Sequence, residues 1–223
     1  MADPSFSRIA IYDMDRTITR HGTMSGFLLH VLARRQRWRV VLVPLMGLAG
    51  LAYAVRLVDR RRLKAINLAL LVGRRFDATR LDALADSYAR RVVRRNIHAQ
   101  ALAQIAMDRA AGFRIVLATA SFRLYVDAIA KQLGIADVIA TDNVPGRARL
   151  AGPNCYGLDK RALIDAWLVR EGVAPGTAEI RAYSDHVSDA PMLELAGTPV
   201  ATTPSPKLRR LARQRGWTIV DWK

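Results

Sequence analysis

Apolar and polar positions along this chain follow two different rhythms. The first starts with a short apolar run, Ile9 to Tyr12, which stops at two carboxylates in "IAIYDMDRTIT" and reads as a buried strand. Helical spacing follows over Phe27 to Arg34, an apolar block from Val40 to Val55, and Arg62 to Val72. Leu81, Leu84, Ala85, Tyr88 and Val92 then fall at i, i+3, i+4, i+7 and i+11, one face of a further helix. Residues 20 to 98 therefore read as all-helical.

From Ala99 helix and strand alternate. A helix runs through Ala111 and stops at Gly112, "FRIVLATA" is a strand, Phe122 to Leu133 a helix and "DVIAT" a short strand. A strand pair or loop is expected around "ARLAG". Helix Lys160 to Glu171, strand "EIRAYS", helix Ala190 to Leu195, strand "PVATT", helix Pro206 to Arg213 and strand "WTIVDW" complete the series. Strands this apolar belong to a parallel sheet covered on both faces. The pattern predicts an α/β fold: a doubly wound, Rossmann-like parallel sheet built from residues 1–19 and 99–223, with residues 20–98 inserted as an all-helical domain.

At 223 residues and 51% hydrophobic, the chain can bury a substantial core. "MADPSFSRIA" has neither the basic nor the apolar region of a secretory signal, and the single cysteine, Cys155, forms no internal disulfide. A cytoplasmic protein is the expectation. The net charge of +16 is unevenly spread: between Arg20 and Gln100 seventeen Lys and Arg face four acids, so this segment carries +13. Basic character belongs to the helical insertion.

In a doubly wound sheet, ligands bind beyond the carboxyl ends of the strands, where the first strand puts Asp13 and Asp15. Two adjacent carboxylates repel, which makes a divalent cation their natural companion, and Mg²⁺ takes a few oxygen ligands together with substrate phosphate. One carboxylate can serve as nucleophile and the other as acid for the leaving oxygen. D-x-D-x-T alone is short enough to occur by chance. The other strand ends make the pattern specific: "IVLATAS" brings Thr119 and Ser121, "NCYGLDK" brings Lys160, and "RAYSDHVSDAPML" brings Asp185 and Asp189.

These motifs, in this order, resemble those of the haloacid dehalogenase-like phosphatases, in the branch that includes phosphoserine phosphatase. The resemblance covers residues 8–20 and 99–222 and makes the insertion a cap. It implies a Mg²⁺-dependent phosphatase with Asp13 as nucleophile, Asp15 as general acid/base and as metal ligand through its backbone carbonyl, and Asp185 as third protein ligand. It also implies that Thr119 and Lys160 hold the phosphoryl group and that Asp189 supports Lys160 or a metal-bound water. Thr17, Ser121, Arg16 and Arg20 are expected around the substrate. One position departs from the family: D-x-D-G-T reads D-x-D-R-T here, so the backbone at Arg16 must tolerate a side chain.

The cap is where substrate is selected. Phosphoserine phosphatases carry a glutamate where this chain has Gly22, and Arg20, His21 and Thr23 beside it include no acid, which argues against an amino-acid phosphate. The sixteen residues from Val40 to Val55 are uncharged; Arg34, Arg35, Arg37 and Arg39 precede them, and Arg56, Arg60, Arg61, Arg62 and Lys64 follow. As helix this run reaches about 24 Å, short of the roughly 30 Å hydrocarbon core. Asp13 lies before it and Lys160 and Asp185 after it, so a single complete crossing would split the site. A re-entrant bend at Pro44, Gly47 and Gly50, an interfacial helix among anionic lipids, and a buried helix of the cap bundle all remain open. The cap and "YSDHVSDAPML" also resemble, more loosely, bacterial phosphatidylglycerophosphatases of the C type, which implies a lipid phosphate substrate at the inner face of the cytoplasmic membrane.

His21, His98 and His186 share no ligand spacing, and Cys155 reads as a small packed residue. Trp38, Tyr53 and Tyr88 fit core as well as membrane anchoring. Two other functions compete with a membrane phosphatase: a phosphatase for a small soluble metabolite, and a basic nucleic-acid-binding protein, against which stands the full set of catalytic positions.

Overall fold

The computed structural model describes residues 8–222 apart from Gln36 and Pro175, so the amino-terminal segment read for a secretory signal lies mostly outside the described residues. Six parallel strands form one sheet: β1 (Arg8–Tyr12), β2 (Arg114–Phe122), β3 (Asp137–Thr141), β4 (Glu179–Ser184), β5 (Thr198–Thr202) and β6 (Thr218–Val220). Their spatial order is β3-β2-β1-β4-β5-β6. The winding reverses at β1, which opens a crevice at the carboxyl ends of β1, β2 and β4. Tyr12 pairs in register with both Leu117 and Tyr183.

Between β1 and β2 lie α1 (Thr23–Arg35), α2 (Val43–Ala54), α3 (Arg60–Leu71), α4 (Ala78–Arg95) and α5 (Ala99–Ala110). The later crossovers are α6 (Arg123–Gln132), α7 (Leu158–Arg170), α8 (Ala190–Leu193) and α9 (Pro206–Arg215). Alternation along β1 divides the core in two. Ala10 and Tyr12 enter one hydrophobic cluster with α5 and α6; Ile9 and Ile11 enter the other with α7, α8 and α9. The fold class expected from the sequence is thus the one observed. Gly157, at φ +60°, takes a conformation that strains L side chains and delivers Lys160 in the first turn of α7.

The inserted helices are unequal. α1, α3 and α4 extend the first cluster through Phe27, Leu68 and Tyr88. α1 and α4 approach so closely that a Cβ on Gly26 would meet the Tyr88 hydroxyl at 2.6 Å, and that hydroxyl donates to the Thr23 carbonyl at 2.7 Å. The apolar run behaves otherwise. It forms a 3-10 turn over Arg37–Leu42 and then α2, unbroken through Gly47 and Gly50, with Pro44 in the first turn where its missing N–H is harmless.

No residue of α2 is buried. Leu45, Leu48 and Leu51 are exposed, as are Val41 and Val55 on either side, while Val43 and Met46 lean on the core. This overturns both the buried bundle helix and the re-entrant bend. The helix has 12 residues, about 18 Å, and among the described residues no helix is long and apolar enough to cross a membrane.

Two of the flanking cations turn inward: Arg39 donates to the Ala69 and Leu70 carbonyls, and Lys64 is buried. "ARLAG" is a loop held by an isolated antiparallel bridge between Asn143 and Leu150. α3 starts at Arg60 rather than Arg62, because Asp59 caps it by accepting from the Arg62 N–H at 2.7 Å.

Candidate active site

Asp13 sits at the tip of β1, its N–H bonded to the Tyr183 carbonyl at 3.0 Å. Asp13 is 6% exposed, and its carboxylate accepts at 2.8 Å from Lys160 Nζ, which also donates at 2.8 Å to Asp189 Oδ2. Ser184 Oγ donates to the same Asp189 oxygen. The tips of β1 and β4 and the start of α7 therefore converge on one ammonium. Burial alone would depress the Lys160 pKa, but Asp13 and Asp189 more than reverse this and keep it charged. Burial pushes the Asp13 carboxyl above its ordinary range; Lys160 works against that shift, and Asp189 and Asp185 add to it.

Asp185 follows β4. Its N–H donates to Thr17 Oγ1 at 3.1 Å, and the Thr17 hydroxyl lies 3.4 Å from its Oδ1. Burial first, and Asp189 second, raise its pKa to about 6, with Arg16 opposing. Asp189 Oδ1 is buried and has no hydrogen-bond partner among the described residues. Asp13 and Asp189 thus share one buried ammonium, Asp185 stands near them without contacting it, and one acceptor is unused. Oxygen donors around uncompensated negative charge fit a hard divalent cation such as Mg²⁺. Among the described residues no group of three His, Cys, Asp or Glu side chains gathers as a metal centre.

Asp15 is held differently. Its Oδ1 accepts from the Thr23 N–H at 2.7 Å and the Thr23 hydroxyl at 2.8 Å, and its Oδ2 accepts from Ser121 Oγ at 2.7 Å. The carboxylate caps α1 and ties the insertion to the end of β2. Both aspartates line a cavity of about 390 Å³, with Thr119, Lys160, Asp185 and Asp189 around them. Arg16 lines it too, at φ +66°, in the left-handed region that suits glycine.

Three expected substrate contacts are not among the lining residues. The Thr17 hydroxyl is spent on Asp185 and the Ser121 hydroxyl on Asp15, while Arg20 Nε donates to the Ile97 carbonyl at 3.2 Å. Thr17 and Ser121 thus hold site carboxylates, and Arg20 fastens the chain to the end of α4, instead of facing the cavity.

Sequence reasoning missed Tyr156 and misread Arg60 and Lys64. The Arg60 guanidinium lies 4.2 Å over the Tyr156 ring at the cavity wall. Lys64, one turn further along α3, is 5% exposed and donates to Asn154 Oδ1 and to the carbonyl of Ala120, between Thr119 and Ser121. Burial first, and Arg60 second, bring its pKa down to about 7. The available signal was spacing: residues four apart share a helix face, so Arg60 and Lys64 point together. In the sequence they merge with Arg61 and Arg62 into one basic shoulder.

Cys155 is buried, and burial pushes its thiol up to about 12, as suits a packed residue. His186 lines the cavity and accepts from the Ser188 N–H at 3.2 Å; His21 and His98 do not line it.

A doubly wound sheet with aspartates and a lysine converging at its switch point, under an inserted set of helices, defines an α/β enzyme. The chain belongs to the haloacid dehalogenase-like hydrolases, whose family model matches residues 10–194. It is 37% identical over 126 residues to a phosphoserine phosphatase of Mycobacterium tuberculosis, covering 55% of this chain and 40% of that protein. The chain spans about two fifths of the length of the first curated relatives it matches. A solved protein of unknown function from Bordetella pertussis Tohama I superposes with a TM-score of 0.84 at 29% identity, over 97% of this chain and 99% of that one. A substrate-bound phosphoserine phosphatase shares the fold, with a TM-score of 0.65 at 14% identity, over 96% of this chain and 92% of that one.

Proposed function

We propose that the protein is a Mg²⁺-dependent phosphomonoesterase that works through a phosphorylated Asp13 and acts on the phosphate of a membrane lipid such as phosphatidylglycerophosphate. The observation that carries the chemistry is the buried Lys160 ammonium bridging Asp13 and Asp189. In the first step an Asp13 oxygen attacks phosphorus, the ester P–O bond breaks, and Asp15 gives a proton to the leaving oxygen. Thr119 and Lys160 hold the phosphoryl oxygens as charge moves between them. In the second step water attacks the acyl phosphate and yields a proton to Asp15; phosphate leaves and Asp13 is restored. Asp13, Asp185 and the Asp15 carbonyl would hold Mg²⁺, which supplies further neutralisation of phosphoryl charge.

The lipid reading rests on α2. Leu45, Leu48 and Leu51 stay in water although the helix has no polar face, and Arg37, Arg56, Arg61 and Arg62 stand exposed beside it. An interfacial helix puts such leucines among acyl chains and such arginines among anionic headgroups, at about 1 kcal/mol per arginine. Gly22, at the cavity wall, offers no carboxylate to a substrate amine.

The test is Mg²⁺-dependent phosphate release by the wild type and Asp13→Asn, from phosphatidylglycerophosphate in mixed micelles, phosphoserine and a panel of small phosphomonoesters. Release from the lipid, lost in Asp13→Asn, is the expected result. Release from a soluble ester alone keeps the chemistry and removes the lipid.

A further inference from the structure

Away from the reaction cavity, α1 and α4 enclose a second concavity of about 510 Å³, lined by Arg34, Ser87, Arg90, Arg91, Arg94 and Arg95. Five guanidinium groups converge there without a carboxylate, and none of the five forms an ion pair among the described residues. The helices run antiparallel: His21 and Asn96 bond at 3.0 Å at one end, and His30 meets Ser87 at the other. A neighbouring cleft shares Gly22 with the reaction cavity and Arg34, Arg91 and Arg95 with the arginine-lined one. The arginines therefore step away from the reaction cavity along one groove.

Favourable interaction with a helix dipole accounts for cations in a last turn, hence for Arg94 and Arg95, but not for Arg90 and Arg91. Nor does it account for how Arg34 is held. His30 is only 2% exposed, with Arg34 Nη1 against its ring at 2.8 Å from Nδ1 and 3.0 Å from Nε2, and Ser87 Oγ at 2.7 Å from Nε2. Ser87 Oγ donates in turn to the Leu84 carbonyl, so it accepts from Nε2–H. Burial first, then Arg34 and Arg91, bring the imidazole down to about 4, which keeps it neutral beside the guanidinium. A guanidinium resting on a buried, neutral imidazole and facing four others across a concavity that has no lining carboxylate suits oxyanions, which it can bind bidentately.

We propose that the α1/α4 groove is a second anion site, which takes a phosphate group other than the one that reacts at Asp13. The groove would hold either the phosphate of an anionic lipid headgroup or a soluble phosphate, and its affinity is independent of the hydrolysis proposed for Asp13.

The test is calorimetric titration of pyrophosphate, in metal-free buffer, into the full chain and into Arg91→Gln/Arg94→Gln. A charge-matched control is Arg210→Gln/Arg213→Gln on α9, which packs in the other hydrophobic cluster. At least tenfold weaker binding in the groove variant, with the control within twofold of wild type, is the expected result. Equal weakening in both, or none in the groove variant, overturns the site, because net charge or the reaction cavity then accounts for binding. Flotation with phosphatidylglycerol vesicles separates the sources: loss of both ligands in the groove variant identifies a lipid headgroup, and loss of pyrophosphate alone a soluble phosphate. If binding of a single-stranded oligonucleotide is all that the groove variant alters, the small-phosphate site is overturned in favour of a nucleic-acid surface. None of these readouts requires turnover, so a wrong assignment of the reaction leaves them intact.

Discussion

Two buried lysines divide this molecule. Lys160, at the sheet's switch point, is 1% exposed and meets two carboxylates; Lys64, on α3 of the insertion, is 5% exposed and meets a carbonyl and an amide oxygen. Burial penalises both ammonium groups, yet Lys160 is held charged and Lys64 is brought down to about 7. Residue type and burial are nearly the same, so the partners decide. At the sheet the charge itself is used, to gather Asp13 and Asp189. In the insertion the lysine acts as a donor, and a neutral amine has two N–H groups for its two acceptors.

The contrast is broken most severely at Lys160. Lys160→Met leaves Asp13 and Asp189 buried without a cation, the situation in which removing one member of a buried pair costs about 3–5 kcal/mol. The expected outcome is a marked fall in denaturation midpoint and loss of phosphate release by about 10³-fold or more, from a barrier increase of roughly 4 kcal/mol. A stable variant with near wild-type turnover would show that the ammonium is dispensable.

Lys64→Met should do something different in kind. The folded-state pKa of Lys64, about 7, lies below its unfolded value of 10.5. Between these values the unfolded chain binds a proton that the folded chain does not, so this group's contribution to stability rises with pH over that window. The full effect is on the order of a few kcal/mol at most. Chemical denaturation of wild type and Lys64→Met at pH 7, 8 and 9 should give a stability difference that moves in favour of wild type as pH rises. A difference independent of pH would mean that Lys64 stays charged when folded.

These two lysines also mark how far the sequence could be read. Asp13 and Asp185 were legible because apolar strands end abruptly in charge and a doubly wound topology sends all strand ends to one crevice, and Lys160 because "NCYGLDK" falls in its place in the order of motifs. Lys64 was not, since nothing local distinguishes a lysine that tertiary packing buries from the exposed Arg61 and Arg62 beside it. The apolar run was ambiguous for a related reason. A stretch with no polar position has no face to read, and Val40 to Val55 fitted a buried helix as well as an exposed one. Only the placement of α2 outside the core separates the two.

That placement makes the third expectation. Replacing Leu45, Leu48 and Leu51 together by Ser should leave folding stability within about 0.5 kcal/mol per site, as for exposed positions generally. The same change should weaken partition onto phosphatidylglycerol vesicles by 10-fold or more, because each leucine contributes about 1.5–3 kcal/mol when fully buried in an apolar phase. Unaltered vesicle binding would assign the arginines the whole of any attraction, and a large loss of stability would contradict the exposure of α2.

The smallest effect falls where the chain departs from its family. Arg16 holds φ +66° at the position of the family's glycine, between the two motif aspartates and Thr17, and its side chain lines the reaction cavity. Left-handed backbone costs an L residue about 1–2 kcal/mol, while glycine loses roughly 0.5–1 kcal/mol of stability through its freer unfolded chain. The terms nearly cancel, so Arg16→Gly should shift stability by less than about 1 kcal/mol. If the backbone alone mattered, kinetics would be unchanged as well. Arg16 also opposes the upward shift of the Asp185 pKa, so its guanidinium acts on the anionic end of the cavity. The expected outcome is therefore a several-fold rise in KM for a phosphomonoester with kcat changed by less than about twofold, the mark of binding made equally in ground and transition states. A matching fall in kcat would place the guanidinium on the transferring phosphoryl group, and would make Arg16 part of the chemistry that the sheet, not the insertion, carries out.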